Sequence, residues 1–453
     1  MRLNPLNRKI DITLGNNLFE QVKLSSKIER NSLVVINRIE GNDYVFFPTT
    51  PTNYIALKMD IRILNIYDPF FSEKYYNIFS INDVGFSNPF SLIYHFKNPL
   101  FSSMYGIDYF IFENMKSENI FERFLKINRS SNPEDFKIQK SFFATNITTP
   151  YNIEFSTNNN YNYHVMFIEI DKPPLTKIQK AKKAFYNMQE FIQIWVNSKY
   201  SLEEITLESN NSLLIIPFLT FENNVKLTIY SHSKLRNIKI KKIEIISYPD
   251  EIPSYVKSSP WELVYQRKGK FSIIYQIWKN KQSLGKAFGV ENIQIVDNLD
   301  KFREKIYKLE FDPTKTAIIL KDQLPKVDQY KKLGILKFDI EKTSFSKPII
   351  KNLKFFEKPD TIELDTLCED ISFLVINSHY FKGWKAYINN QEIPILETNG
   401  YVSGIILPKG EHHLVLKFEP YYKKLFPLPF IFMLFYIILI IRFYLKKSNK
   451  KNS

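Results

Sequence analysis

The sequence has few of the residues on which metal and redox chemistry depend. Its 453 residues include one cysteine, Cys368, and six dispersed histidines. A disulfide framework or a thiolate zinc cluster needs several cysteines in register, so both are excluded. His412 and His413 are adjacent and are expected to point to opposite faces of a strand. We therefore predict no metal site, and we interpret Cys368 as a buried or incidental thiol.

Glycine is also scarce, with 12 residues, and no glycine-rich phosphate-binding pattern occurs. Neither GxxxxGK[ST] nor GxGxxG is present, and there is no HExxH helix motif. The sequence thus predicts no nucleotide cofactor and no other cofactor, and it offers no residue that we assign as catalytic.

Hydrophobic and aromatic residues, in contrast, are abundant. They make up 44% and 15% of the chain, with 39 Phe and 27 Tyr, which excludes a wholly disordered protein and favours strands. The length predicts two to four domains. The net charge of +15 suggests either nucleic acid or an anionic membrane as a partner, depending on where the charges lie.

A long apolar run near the C-terminus decides between these partners. Residues 425–441 read LFPLPFIFMLFYIILII, and Phe443 to Leu445 extend the run to a length able to cross a bilayer. Seven basic and no acidic residues lie in 423–453, which leaves +8 for residues 1–422. We predict a transmembrane helix at 425–445, a basic cytoplasmic tail at 446–453, an extracytoplasmic globular part and no nucleic-acid partner.

The predicted fold class is mainly β with α/β parts. The predicted regions are an α/β region at 1–135, a β-sandwich at 136–260, a small α/β unit at 261–355 and a C-terminal β-sandwich module at 356–420. In the sandwich, alternation predicts strands at Phe191–Val196 and Leu213–Leu219, among others. In the α/β unit, Asp297 or Asn298 is predicted to cap a helix, and 316–320 is predicted to form a strand.

Several segments resemble a known family. The segment at 379–420 reads HYFKGWKAYINNQEIPILETNGYVSGIILPKGEHHLVLKFEP and is followed at once by the apolar run. It resembles the C-terminal end of bacterial YfhO-type membrane proteins. MYGIDYFIF and NKQSLGKAFGVENIQIVDN resemble further segments of that family more loosely, so that the similarity extends over roughly residues 30 to 445.

The resemblance implies a function in the cell envelope. YfhO-type proteins are similar to GT-C glycosyltransferases, whose catalytic acids lie in a membrane part that we do not find in this chain. We therefore expect a binding or accessory module in cell-envelope glycan or polymer glycosylation, with a multi-span membrane protein and a lipid-linked glycan as partners. The alternatives are part of a split or truncated GT-C glycosyltransferase using a polyprenyl-phosphate sugar donor, and a tail-anchored cytoplasmic scaffold, because the N-terminus has no signal-peptide pattern.

One group of residues could contact a glycan directly. Tyr380, Trp384, Tyr387 and Tyr401 could form a stacking platform, because an aromatic ring packs against the apolar face of a pyranose. The alternative, which we favour at this point, is that Trp384 fills the core of the sandwich and Tyr387 covers it.

Overall fold

The computed structural model describes a large part of the chain, in segments. The described residues are 33–39, 62–63, 103–114, 139–147, 149–156, 163–171, 173–186, 190–196, 200–206, 212–219, 224–233, 238–248, 261–268, 274–308, 311–355, 360–419, 432–438 and 440.

Strands dominate the described residues, which confirms the predicted fold class. The first thirteen, β1 to β13, are Leu33–Ile39, Arg62–Ile63, Ile107–Asn114, Gln139–Ile147, Tyr151–Ser156, Tyr163–Asp171, Phe191–Val196, Tyr200–Thr206, Leu213–Leu219, Asn224–His232, Lys239–Tyr248, Trp261–Lys268 and Ile274–Asn280. The remaining strands, β14 to β24, are Ala287–Val290, Asn292–Val296, Thr316–Leu320, Ile349–Phe355, Thr361–Cys368, Ser372–His379, Trp384–Ile388, Gln391–Ile393, Leu396–Thr398, Val402–Leu407 and Gly410–Phe418.

Three helices with named bounds accompany the strands. They are α1 at Lys177–Tyr186, α2 at Leu299–Tyr307 and α3 at Leu324–Lys332. Asn298 caps α2 as predicted, because its side-chain oxygen accepts from the Lys301 N–H at 2.9 Å.

The first sheet combines distant parts of the sequence, in the order β12-β13-β3-β1-β2. Strand β1 pairs in parallel with β2 and with β3, and β13 runs antiparallel to β3. Strands from the N-terminal part of the chain, β1 to β3, therefore share one sheet with β12 and β13.

Between β3 and β12 in the sequence, strands β4 to β11 form an antiparallel sandwich. Its sheets have the orders β5-β10-β7-β8 and β4-β11-β6-β9. Alternate residues of both sheets, such as Ile194 and Ile243, are fully buried in a shared apolar core. This is the arrangement that period-2 alternation predicts.

The C-terminal part forms two further sheets, which we call the C-terminal double sheet. One has the order β14-β19-β23-β22-β16-β15 and the other β17-β18-β24-β20-β21. Strands from 287–355 pair with strands from 361–418 in both sheets, so pairing continues across the predicted boundary at residue 355. The predicted region boundaries remain predictions.

The predicted membrane segment lies mostly outside the described residues. Of 425–445, the structure describes 432–438 and 440, which are helical and carry exposed apolar side chains, for example Phe432 and Phe435. Within the described segments, no helix combines the length and the apolar character required to cross a bilayer.

Candidate functional site

One end of the C-terminal double sheet is where the chain passes from one sheet to the other. Strand β19 ends at His379, and the Tyr380 N–H donates to the Tyr401 carbonyl oxygen at 2.7 Å. Strand β20 then begins at Trp384, which pairs in register with Phe418 of the second sheet. Residues 380–383 therefore cross between the sheets at this end.

Aromatic rings gather at this crossing. The His379 and Tyr401 rings meet edge to face with centroids 4.7 Å apart, and His379 meets Phe381 at 5.7 Å. Tyr105, from the turn before β3, packs on Tyr401 at 4.6 Å. We call Tyr105, His379, Tyr380, Phe381 and Tyr401 the aromatic end.

The aromatic end has a buried floor and an accessible rim. Tyr105 and Tyr401 are 1% and 4% exposed, whereas His379, Tyr380 and Phe381 are partly exposed. The floor contacts the His379 ring, which in turn contacts the Phe381 ring, and the Tyr380 backbone is hydrogen-bonded to Tyr401. The partly exposed rim presents ring surface and polar atoms to solvent. Such a combination suits a ligand with both apolar faces and hydroxyl groups.

Asn399 holds the floor in place. Its side-chain oxygen accepts from the Ile318 N–H at 2.9 Å, and its own N–H donates to the Ile318 carbonyl at 2.7 Å. Its carbonyl oxygen accepts from the Tyr105 hydroxyl at 2.9 Å. Asn399 has a φ of 48°, a left-handed conformation that asparagine tolerates better than most residues. The turn that carries Tyr401 is thereby tied to β16 and to Tyr105.

Lys326 reaches the rim from the first turn of α3. Its Nζ donates to the Tyr380 hydroxyl at 2.7 Å, to the Gln323 side-chain oxygen at 3.0 Å and to the Ile395 carbonyl at 3.0 Å. The same Gln323 oxygen accepts from the Glu397 N–H at 3.0 Å. A cation and a tyrosine hydroxyl therefore lie side by side at the rim.

The four residues of the predicted stacking platform are divided by the structure. Tyr380 and Tyr401 belong to the aromatic end, and Trp384 lies next to it, 5.4 Å from the Phe418 ring and packed partly against the core. Tyr387 alternates along β20 with the buried Ala386, so its side chain is on the opposite face of the strand.

Sequence reasoning missed Tyr105, His379 and Lys326 as members of this region. Tyr105 lies within the MYGIDYF segment, but its contact with Tyr401 joins residues far apart in sequence. Lys326 meets Tyr380 across 54 positions, and no local pattern marks that contact.

The other predictions about chemistry can be compared with the described residues. Among these residues, no group of three or more histidine, cysteine or acidic side chains could hold a metal ion. His412 donates to the Pro408 carbonyl, whereas His413 lies 2.7 Å from Asp365, so the two rings have separate partners. Cys368 is buried as predicted, and burial raises the pKa of its thiol.

Comparison with known proteins identifies no family. No family model matches the chain, and no curated protein matches it. The resemblance to YfhO-type proteins therefore remains a prediction from sequence.

Solved structures give matches of low similarity. The C-terminal domain of EclA, described as a sugar-binding protein, is 11% identical over 29% of this chain and 98% of its own, with a TM-score of 0.17. The arabinofuranosyltransferase AftD from Mycobacteria is 9% identical over 59% of this chain, with a TM-score of 0.14. PorU from Porphyromonas gingivalis is 12% identical over 43% of this chain and 27% of its own, with a TM-score of 0.16.

The match to AftD covers 21% of that protein, so this chain corresponds to only part of its length. At these TM-scores the likenesses do not establish a common fold, and they leave the function open.

Proposed function

We propose that this protein is a membrane-anchored extracytoplasmic module that binds a glycan of the cell envelope at its aromatic end. The observation that carries the proposal is the partly exposed rim of His379, Tyr380 and Phe381 on a rigid aromatic floor. The resemblance of residues 379–420 to YfhO-type proteins supports the same assignment.

The chemistry of the rim fits a sugar. A pyranose presents C–H groups on its faces and hydroxyl groups at its edge, so it is bound by ring surfaces together with hydrogen-bonding groups. Phe381 offers an apolar ring, and Tyr380 and His379 offer rings with polar atoms. The fixed floor reduces the entropy lost when a ligand orders the rim.

The membrane anchor is proposed from the apolar segment at 425–445 and its basic flanks. Strand β24 ends at Phe418, and the apolar run begins at Leu425. Six residues after Glu419 span at most about 20 Å, so the aromatic end would be held close to the bilayer surface. A binding module there would contact glycans that are built at the membrane.

The binding experiment uses the full chain in nanodiscs and a panel of oligosaccharides from bacterial envelopes. We expect Tyr380→Ala and Phe381→Ala to lose binding about tenfold or more, because each removes ring surface from the rim. Tyr387→Ala is the matched control, since it removes a partly exposed tyrosine from the opposite face of β20. Equal losses in all three variants, or no binding by any glycan, would contradict the proposal.

The anchor has its own experiment. Full-length protein should stay with membranes after alkaline carbonate washing, and a variant with Phe435→Lys and Ile438→Lys should be released or degraded, because charges at the bilayer centre are costly. Protease added outside intact cells should digest the globular part and spare a C-terminal tag. Protection of the globular part would instead support the tail-anchored cytoplasmic scaffold.

A further inference from the structure

Lys326 is a cation whose hydrogen-bond partners are all neutral. The three donors of its ammonium group go to a tyrosine hydroxyl, a glutamine oxygen and a backbone carbonyl. The side chain is partly buried between α3 and the segment around Ile395. Within the segments that the structure describes, no carboxylate lies within 4.0 Å of its Nζ.

A second partly buried lysine shows how the chain balances such a charge elsewhere. Lys308 has a side chain that is 22% exposed, and its Nζ lies 2.6 Å from a Glu304 oxygen and 3.8 Å from a Glu244 oxygen. A partly buried cation loses hydration, and nearby carboxylates compensate that loss. At Lys326 the compensation comes from dipoles alone, so the positive charge at the rim is not neutralised.

The Tyr380 hydroxyl at the rim is hydrogen-bonded to this ammonium group. Its oxygen accepts from Lys326, so its own hydrogen must point elsewhere. Within the described part of the chain, this hydroxyl has Lys326 as its hydrogen-bond partner and no acceptor for its hydrogen. The hydroxyl hydrogen is therefore available to a ligand oxygen, while the Lys326 ammonium group lies 2.7 Å from the hydroxyl oxygen.

We propose that Tyr380 and Lys326 form a subsite for an anionic group on the bound glycan, either a phosphate or a carboxylate. The inference rests on the proposed function, because it defines the chemical class of the ligand at the same aromatic end. An anionic oxygen accepts the Tyr380 hydrogen, and Lys326 supplies the opposite charge. Hydrogen bonds of this charge-assisted kind are stronger than those between neutral groups.

The experiment measures binding by calorimetry of three small ligands to the full chain. The ligands are glucose, glucuronate and glucose 1-phosphate, and the nanodiscs contain only phosphatidylcholine, so that no anionic lipid competes. We expect both acids to bind about tenfold or more tightly than glucose. The comparison of glucuronate with glucose 1-phosphate shows which anion the subsite takes.

Three variants test the assignment of the subsite. Lys326→Met and Tyr380→Phe should each remove the preference for the acids over glucose. Lys382→Met is the matched control, because Lys382 is an exposed lysine two residues after Tyr380 in the same crossing segment. This variant should leave the preference for the acids intact. Lys326→Arg should retain much of the preference, which separates loss of charge from loss of folding.

The outcomes distinguish this inference from the proposed function. Glycan binding without a preference for acids, or an equal loss in Lys326→Met and Lys382→Met, would overturn the anionic subsite and leave the glycan-binding module standing. If neither these ligands nor the envelope oligosaccharides bind, both proposals fail.

Discussion

The Nη1 atom of Arg303 in α2 donates to the main-chain carbonyl oxygen of Leu213 in β9 at 3.0 Å. Leu213 lies 90 positions before Arg303, so the contact joins the sandwich to the C-terminal double sheet. Arg303 is 1% exposed, and burial lowers its pKa to about 10, so it remains charged at neutral pH. Asp300 lies 3.5 Å away and Ser212 donates to it, which completes a polar contact between the two parts.

The first prediction concerns this contact. Arg303→Ala should lower the free energy of unfolding by about 3 kcal/mol, because it leaves a cavity and removes the donor to Leu213. Lys301→Ala on the same helix should cost less than about 1 kcal/mol, since Lys301 forms an exposed ion pair with Glu304. Urea denaturation measures both. Equal effects would mean that Arg303 does not link the two parts.

The second prediction compares two glycines with left-handed backbones. Gly106 has a φ of 63°, and a Cβ atom there would lie 2.3 Å from the Gly285 carbonyl oxygen. Gly334 has a φ of 71° and open space around the same position. Gly334→Ala should therefore cost about 1 kcal/mol, for the backbone conformation alone. Gly106→Ala should cost about 3 kcal/mol or more, because backbone must also move.

Thermal unfolding followed by circular dichroism compares the two alanine variants directly. Gly106 precedes β3 and follows Tyr105, so Gly106→Ala should also weaken the glycan binding that we propose at the aromatic end. A cost at Gly106 no larger than at Gly334 would contradict the close approach of the two chain segments.

The third prediction concerns Tyr330 in α3, which is fully buried. Its hydroxyl donates to the Pro394 carbonyl and accepts from the Ile406 N–H at 3.3 Å. Burial raises the pKa of this hydroxyl, so it stays protonated in the folded protein. Tyr330→Phe should cost about 1 to 2 kcal/mol in urea denaturation, because it leaves both backbone groups without this partner.

A matched control for the buried hydroxyl is Tyr387→Phe. Tyr387 is partly exposed on the outer face of β20, where water can solvate its hydroxyl, so the change should stay within about 0.5 kcal/mol. If Tyr330→Phe is equally mild, the hydroxyl does not hold α3 against the double sheet.

Local patterns predicted many elements of this fold correctly. Strands β7, β9 and β16 have the bounds that were predicted from the sequence, because each is long enough to show its pattern. The Asn389-Asn390 dipeptide is likewise a local turn signal, and both residues adopt positive φ angles suited to a two-residue hairpin. Such features depend on neighbours in sequence.

Other features depend on contacts between distant residues and could not be predicted in the same way. The apolar run IPIL at 393–396 locally favours one strand, yet Ile393 ends β21 in one sheet and Leu396 begins β22 in the other. The pairing of β3 with β13 and the meeting of Lys326 with Tyr380 are likewise set by tertiary packing. For this reason, Tyr380 and Tyr401 could be identified from the sequence, but the cation beside Tyr380 could not.

The last prediction is a dependence of stability on pH that originates at Glu304. Burial raises the pKa of this carboxyl, but hydrogen bonds from Lys308 and Lys301 and the charges of both outweigh burial and lower the pKa to about 2. Because the folded-state pKa lies below the ordinary value of 4.5, the contribution of Glu304 to stability is present above about pH 4.5 and is lost as the pH falls toward 2.

Glu304→Gln should therefore be less stable than the wild type at neutral pH, and the difference should shrink as the pH falls from about 4.5 to about 3. Urea midpoints measured across this range test the expectation, with the exposed Glu411→Gln as a control that should show a much smaller difference at every pH. A constant difference between Glu304→Gln and the wild type over the whole range would show that the carboxylate charge is not the source of the stabilisation.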